Sequence, residues 1–161
     1  MEYYLAKYDL GLRFVILFIT TVSFSQDLEN LAKQDTIYIA LKDIDKNYSK
    51  QYEGFKYRST VHTIFAEYQI IEPNGKQIII HAPKAYQLFS VKRKEFFKKN
   101  KNNIINLKYI EKTGVVKVFI ETFKLINPSR KIFYVFDERD LKKTHMKLKK
   151  VDVVAAVYSK I

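Results

Sequence analysis

Ile70-Ile71-Glu72-Pro73-Asn74-Gly75-Lys76-Gln77-Ile78-Ile79-Ile80 is the stretch that decides how this chain folds. Asn-Gly supplies the positive-φ positions of a tight hairpin turn, and both flanks are rich in β-branched residues. The reading is a hairpin: Tyr57 to Ile71 runs up, Pro73-Asn74-Gly75 turns, and Lys76 to Ala82 returns. Alternate residues of a strand share a face, which groups Ile64, Ala66, Tyr68 and Ile70. Ile78-Ile79-Ile80 is apolar on both faces and predicts a central strand covered on both sides.

Upstream, Thr36 to Leu41 reads as a strand. Residues 27–35 are polar and read as mobile or weakly helical, and the polar stretch 42–56 reads as a loop. Downstream of Pro83 the pattern turns helical. Ser90 is expected to cap a helix running to about Asn100, and Asn106 to cap a short helix that Gly114 stops. Val116, Phe119, Ile120 and Phe123 form one stripe of a further helix, ended by Asn127-Pro128. Ile132 to Phe136 and Val151 to Tyr158 read as strands joined by the charged stretch Asp137 to Lys150. The fold class expected is α+β, a mainly antiparallel sheet of about five strands with an inserted run of two or three helices. No repeat or linker divides the chain, so residues 26–161 are expected to form a single domain.

Residues 1–25 read as a signal peptide. Phe14 to Phe24 is shorter than the ~20 apolar residues that cross a bilayer comfortably. Arg13 flanks it, and Ser23-Phe24-Ser25-Gln26 is a small-x-small site cut between Ser25 and Gln26. Glu2 and Asp9 offset Lys7 and Arg13, and a true start downstream of Met1 is one explanation of that neutral segment. The expected location is therefore periplasmic or secreted.

The formal net charge is +12 over 161 residues, from 29 Lys and Arg against 17 Asp and Glu. Nearly all the cations are lysine, whereas proteins that read nucleic acid lean on the arginine fork. There is no cysteine, which removes thiolate nucleophiles, thiolate metal sites and disulfides. Four glycines leave little for a glycine-rich phosphate cradle.

The export segment ending Ser23-Phe24-Ser25-Gln26 resembles signals of Bacteroidota, flavobacteria in particular. Arg93-Lys94-Glu95-Phe96-Phe97-Lys98-Lys99-Asn100, running into Asn103-Ile104-Ile105-Asn106, is similar to small exported proteins of that group. The resemblance implies a compartment and no chemistry.

Candidate sites are few. His62 and His81 would share a face of the hairpin, but about 20 Å apart at ~3.3 Å per residue, too far for one metal. His145 lies elsewhere. Asp43-Ile44-Asp45-Lys46-Asn47 opens like a calcium loop, but Tyr48 stands where glycine is needed and Gly54 where a bidentate glutamate belongs. Asp137-Glu138-Arg139-Asp140 follows a strand, where carboxylates could do acid–base work or Asp137 could cap a turn over 138–144. Asn47-Tyr48-Ser49 is a glycosylation pattern of low specificity. Two basic clusters remain. Lys92, Arg93, Lys94, Lys98, Lys99 and Lys101 form a basic face interleaved with Phe96 and Phe97. Lys142, Lys143, Lys147, Lys149 and Lys150 form the second.

No catalytic residue, cofactor or metal is called for. The reading is an exported small basic domain, a non-enzymatic binding protein whose partner is an envelope protein or an anionic envelope component. The alternatives are an exported carboxylate-dependent hydrolase around Asp137 and Asp140, and an intracellular nucleic-acid-binding protein, which export disfavours.

Overall fold

The structure, a computed structural model, describes residues 28–86, 88–125 and 131–157. The expected signal peptide over 1–25, its cleavage between Ser25 and Gln26, and the helix stop at Asn127-Pro128 lie outside these residues. Nine strands form one curled sheet. They are β1 (Thr36–Leu41), β2 (Tyr48–Tyr52), β3 (Phe55–Val61), β4 (Phe65–Ile71), β5 (Lys76–Pro83), β6 (Leu88–Lys92), β7 (Ile104–Asn106), β8 (Ile132–Asp137) and β9 (His145–Val157). Their order is β2-β3-β4-β5-β9-β8-β1-β7, with β6 also beside β9. The protein is α+β and the pairing mostly antiparallel, but β7–β1 and β1–β8 are parallel. The expected count of about five strands is corrected to nine.

The missing strands lay in polar or over-long segments. The arm Tyr57 to Ile71 is two strands, because the chain reverses at His62-Thr63-Ile64 and His62 N–H donates to the Phe65 carbonyl at 2.8 Å. Ala66, Tyr68 and Ile70 are buried as grouped, whereas Ile64 sits in the reversal at 73% exposure. The loop expected over 42–56 contains β2, a polar strand at the rim of the sheet. β5 is central, lying between β4 and β9; Ile78, Ile80 and Ala82 are buried on one face, while on the other Gln77 is buried and Ile79 and His81 are half-buried. The predicted cover on both sides is therefore corrected to full cover on one side and partial cover on the other.

β9 holds the sheet together. Its 13 residues begin inside the charged stretch expected as a connection. Residues 152–157 pair with β5, 145–149 with β6, and 149–151 with β8 on the opposite edge. β5 and β6 follow the same edge of β9. Between His81, opposite Asp152, and Leu88, opposite Lys149, the β5–β6 side loops out the extra residues.

Alternation along the strands sorts side chains into two cores. Ile37, Ile39 and Leu41 of β1 and Phe133 and Val135 of β8 face the larger one, with Phe55, Tyr57, Tyr68, Ile70 and Ile80. Ala40 and Phe136 face the smaller, with Ile104, Met146, Leu148 and Phe96. The parallel strands are thus covered on both faces, as their apolar runs require. Helix α1 (Leu28–Lys33) and the helical segments after β7 cover the larger core; α2 (Arg93–Asn100) covers the smaller. Ser90 does not cap α2. It lies in β6, and Lys92 takes the cap position without a side-chain bond.

The next helix is as read. In α3 (Leu107–Thr113) the Asn106 side chain accepts from Tyr109 N–H at 2.8 Å, and Gly114 ends it at φ +96°. The following segment, Val116–Thr122, is a π-helix in which Phe123 N–H reaches back to the Val118 carbonyl. Its wider turn buries Val115, Val118, Phe119 and Phe123, leaving Val116 and Ile120 half-buried.

Candidate anion-binding site

β1 and β8 run parallel and end together, so the residues just past Leu41 and Asp137 meet. Asp137 caps the short 3₁₀ turn Glu138–Lys142, accepting the Arg139 N–H at 2.8 Å. The Arg139 guanidinium forks onto the same carboxylate through Nε at 2.8 Å and Nη2 at 2.7 Å. It also reaches Asp45 at 2.6 Å and Asp43 at 3.6 Å. The loop 42–47 is pinned from below as well. Tyr57 donates its hydroxyl to the Lys42 carbonyl at 2.9 Å and Tyr68 to that of Ile44 at 3.2 Å. Asn47 accepts the Val61 N–H at 2.8 Å.

Burial pushes the Asp137 carboxyl up, but the bonds from Arg139 and the Ile44 N–H outweigh it and hold the group below its usual range. Asp140 is spent likewise: Lys143 Nζ lies at 2.6 Å and the Lys147 N–H at 3.1 Å. The apparent calcium loop and the apparent catalytic carboxylates are one structural knot. Among the described residues no group of three or more acidic, histidine or cysteine side chains is arranged to hold a metal.

Glu138 differs from its neighbours. Desolvation raises it, Lys42 opposes the rise, Asp137 adds to it, and Lys108 and Lys50 oppose it. Beside it, burial lifts the Tyr52 phenol to about 12, with Glu138 contributing.

The histidines are closer than the sequence implied. Because the chain reverses at 62–64, Phe65 stacks on His62 at 4.2 Å and meets His81 in a tilted contact at 4.8 Å between ring centroids. The expected ~20 Å separation assumed an uninterrupted arm at ~3.3 Å per residue, which the reversal removes. His81 lies opposite Glu67, and Tyr68 opposite Ile80.

Parts of the two basic clusters come together, whereas Lys147, Lys149 and Lys150 of the second stay outside the meeting point. In the β6–β9 ladder Lys92 faces His145, and Arg93 N–H donates to the Thr144 carbonyl at 3.0 Å. This brings the start of α2 against the residues before β9. Lys92, Arg93, Lys94, Glu95, Lys142, Lys143, Thr144 and His145 line a concavity of about 430 Å³. Five cations there face one carboxylate. Three cations are held in place: Arg93 by the Leu141 carbonyl at 2.7 Å, Lys143 by Asp140 at 2.6 Å, and Lys92 by Glu95 at 3.6 Å. Lys94 and Lys142 are exposed and have no ion-pair partner among the described residues.

Of the basic face read from sequence, Lys92, Arg93 and Lys94 line this concavity. Lys98 and Lys99 in the last turn of α2, and Lys101 beyond it, do not. Phe96 is buried and Phe97 half-buried in the smaller core. Thr144 and His145 are the lining residues that the lysine pattern did not mark.

Among the described residues no helix is long and apolar enough to cross a membrane. No protein-family model matches the chain, and neither a curated protein nor a solved structure is significantly similar to it.

Proposed function

We propose that this chain is an exported, non-enzymatic binding domain that holds an anionic partner of the cell envelope in the concavity between α2 and the start of β9. The observation that carries the reading is the convergence of Lys92, Arg93 and Lys94 with Lys142 and Lys143, some fifty positions away, around one 430 Å³ hollow. Like charges gathered in a concave surface focus the field and draw an anion in. Export is supported by the apolar run from Phe14 and the site Ser25–Gln26. The net charge of +12 extends the attraction beyond the hollow.

The test is binding of inorganic polyphosphate at several salt concentrations. The Lys94→Glu/Lys142→Glu variant should bind at least about tenfold more weakly, a loss of ~1.4 kcal/mol. Lys98→Glu, on the same helix and outside the hollow, should lose much less. Equal losses at both places would reduce the attraction to net charge and end the reading. Export is tested separately, by whether the chain recovered from fractionated cells begins at Gln26.

A further inference from the structure

We propose that β6 is a docking edge for an extended acidic polypeptide, which adds to the sheet as a further strand and lays its carboxylates in the basic concavity. The inference rests on reading that concavity as an anion site and names its ligand.

The backbone supplies the first argument. Among the described residues β6 pairs only with β9, so its other edge is open. Residues of an antiparallel pair alternate between facing the partner and facing away. Arg93 donates to Thr144, which sets Phe89, Val91 and Arg93 toward β9. Lys147, opposite Ser90, sends its N–H the other way, to Asp140. Leu88, Ser90 and Lys92 therefore direct their N–H and C=O groups outward. They form a row about 13 Å long at ~3.3 Å per residue. Such a row is a template for one more strand.

The surroundings supply the second. Six large hydrophobic residues stand exposed among the described residues, and two of them, Leu88 at 50% and Phe89 at 38%, lie in β6 itself, with a third, Tyr86 at 36%, two positions before it. The basic concavity opens at the Lys92 end of the row.

Charge selects the occupant. Antiparallel pairing of β6 with a second copy, centred on Ser90, would bring two chains of +12 together with both concavities near the seam. Screening over ~8 Å does not remove repulsion at contact distance. A lipid surface offers anions but no backbone to bond Leu88, Ser90 and Lys92. An acidic extended polypeptide satisfies the row, the apolar flank and the lysines at once.

The probe is a synthetic peptide alternating Val and Thr and ending in a run of glutamates, titrated into the full chain by calorimetry. Ser90→Pro removes the central outward donor, whose N–H makes no bond to β9, and Pro is tolerated at edges of this kind. It should weaken the peptide about tenfold and leave polyphosphate binding unchanged. Methylating the peptide's backbone nitrogens should weaken it as much with the protein unaltered, which keeps the test valid if Ser90→Pro fails to fold. Equal affinity for the plain and methylated peptides overturns the proposal. A dimer in sedimentation that Ser90→Pro splits also overturns it, in favour of a second copy. Loss of the anion reading is separate: there the Lys94→Glu/Lys142→Glu variant would hold polyphosphate as tightly as the parent.

Discussion

Ile44 and Asp137 lie 93 residues apart, yet the Ile44 N–H donates to the Asp137 carboxylate at 3.1 Å. The bond closes the loop after β1 onto the end of β8, and Arg139 grips the same carboxylate from the other side. An oxygen that accepts from both backbone and guanidinium leaves donors orphaned when it is lost. Asp137→Asn should cost about 1–3 kcal/mol in urea unfolding at neutral pH. The pH dependence has a definite sign. The folded carboxyl titrates below its ordinary 3.8, so its stabilisation is complete above pH 3.8 and fades as pH falls through the lower folded value. Asp137→Asn should flatten that acid limb. An unchanged limb would show that other carboxylates set it.

Glu138, one residue on, should behave oppositely. Its folded carboxyl is raised above 4.5, chiefly by desolvation, so ionisation opposes folding at neutral pH and ceases to do so below pH 4.5. Glu138→Gln is expected to stabilise at pH 7, by a few tenths of a kcal/mol because the group is still partly solvated, and to be neutral at pH 3. Thermal melts at the two pH values decide it; destabilisation at pH 7 would mean that Lys42, Lys108 and Lys50 outweigh burial.

Tyr57 and Tyr68 hold the same loop through the Lys42 and Ile44 carbonyls, and burial raises both phenols. Tyr57→Phe and Tyr68→Phe should each cost about 1 kcal/mol, since a part-buried carbonyl loses its donor. Combined with Asp137→Asn, each should show a coupling of at least ~0.5 kcal/mol in a double-mutant cycle. Simple additivity would mean that the loop is not one unit.

Gly114 isolates backbone strain from packing. It sits at φ +96° and ψ 140°, a region closed to side-chain-bearing residues, and a Cβ there would meet nothing within 4 Å. Gly114→Ala should therefore cost about 1–3 kcal/mol from conformation alone. Asn106→Ala, at the other end of α3, should cost about 1 kcal/mol as a lost cap. Chemical denaturation of both variants checks the pair, and a neutral Gly114→Ala would show that the turn rearranges freely.

Local signals in the sequence reported local structure faithfully. Thr36 to Leu41 is β1 residue for residue, Pro73-Asn74-Gly75 is the hairpin turn although Gly75 and not Asn74 takes positive φ, Asn106 and Gly114 bound α3, and Asp137 caps its turn. What escaped depends on partners far along the chain. Ser90 has a capping residue's chemistry but is taken into β6 by pairing with Lys147. Tyr48–Tyr52 is polar because its place at the rim leaves it little to bury, so composition read it as loop. The start of β9 carried a legible sign: Met146 and Leu148 alternate with lysines and are buried as a strand requires. The candidate site was half legible. Both basic clusters are visible in sequence, but their meeting depends on the register that sets Lys92 against His145.

β9 is the last of the nine described strands to emerge as the chain is made, and among them it alone joins the β2–β5 hairpins to the parallel group by strand pairing. Until residues 145–157 are available, the antiparallel half lacks its neighbour for β5 and β8 lacks its antiparallel partner. Closure waits on contacts of long sequence separation, which form slowly. A nascent chain of this topology therefore completes its sheet only when its final strand is free.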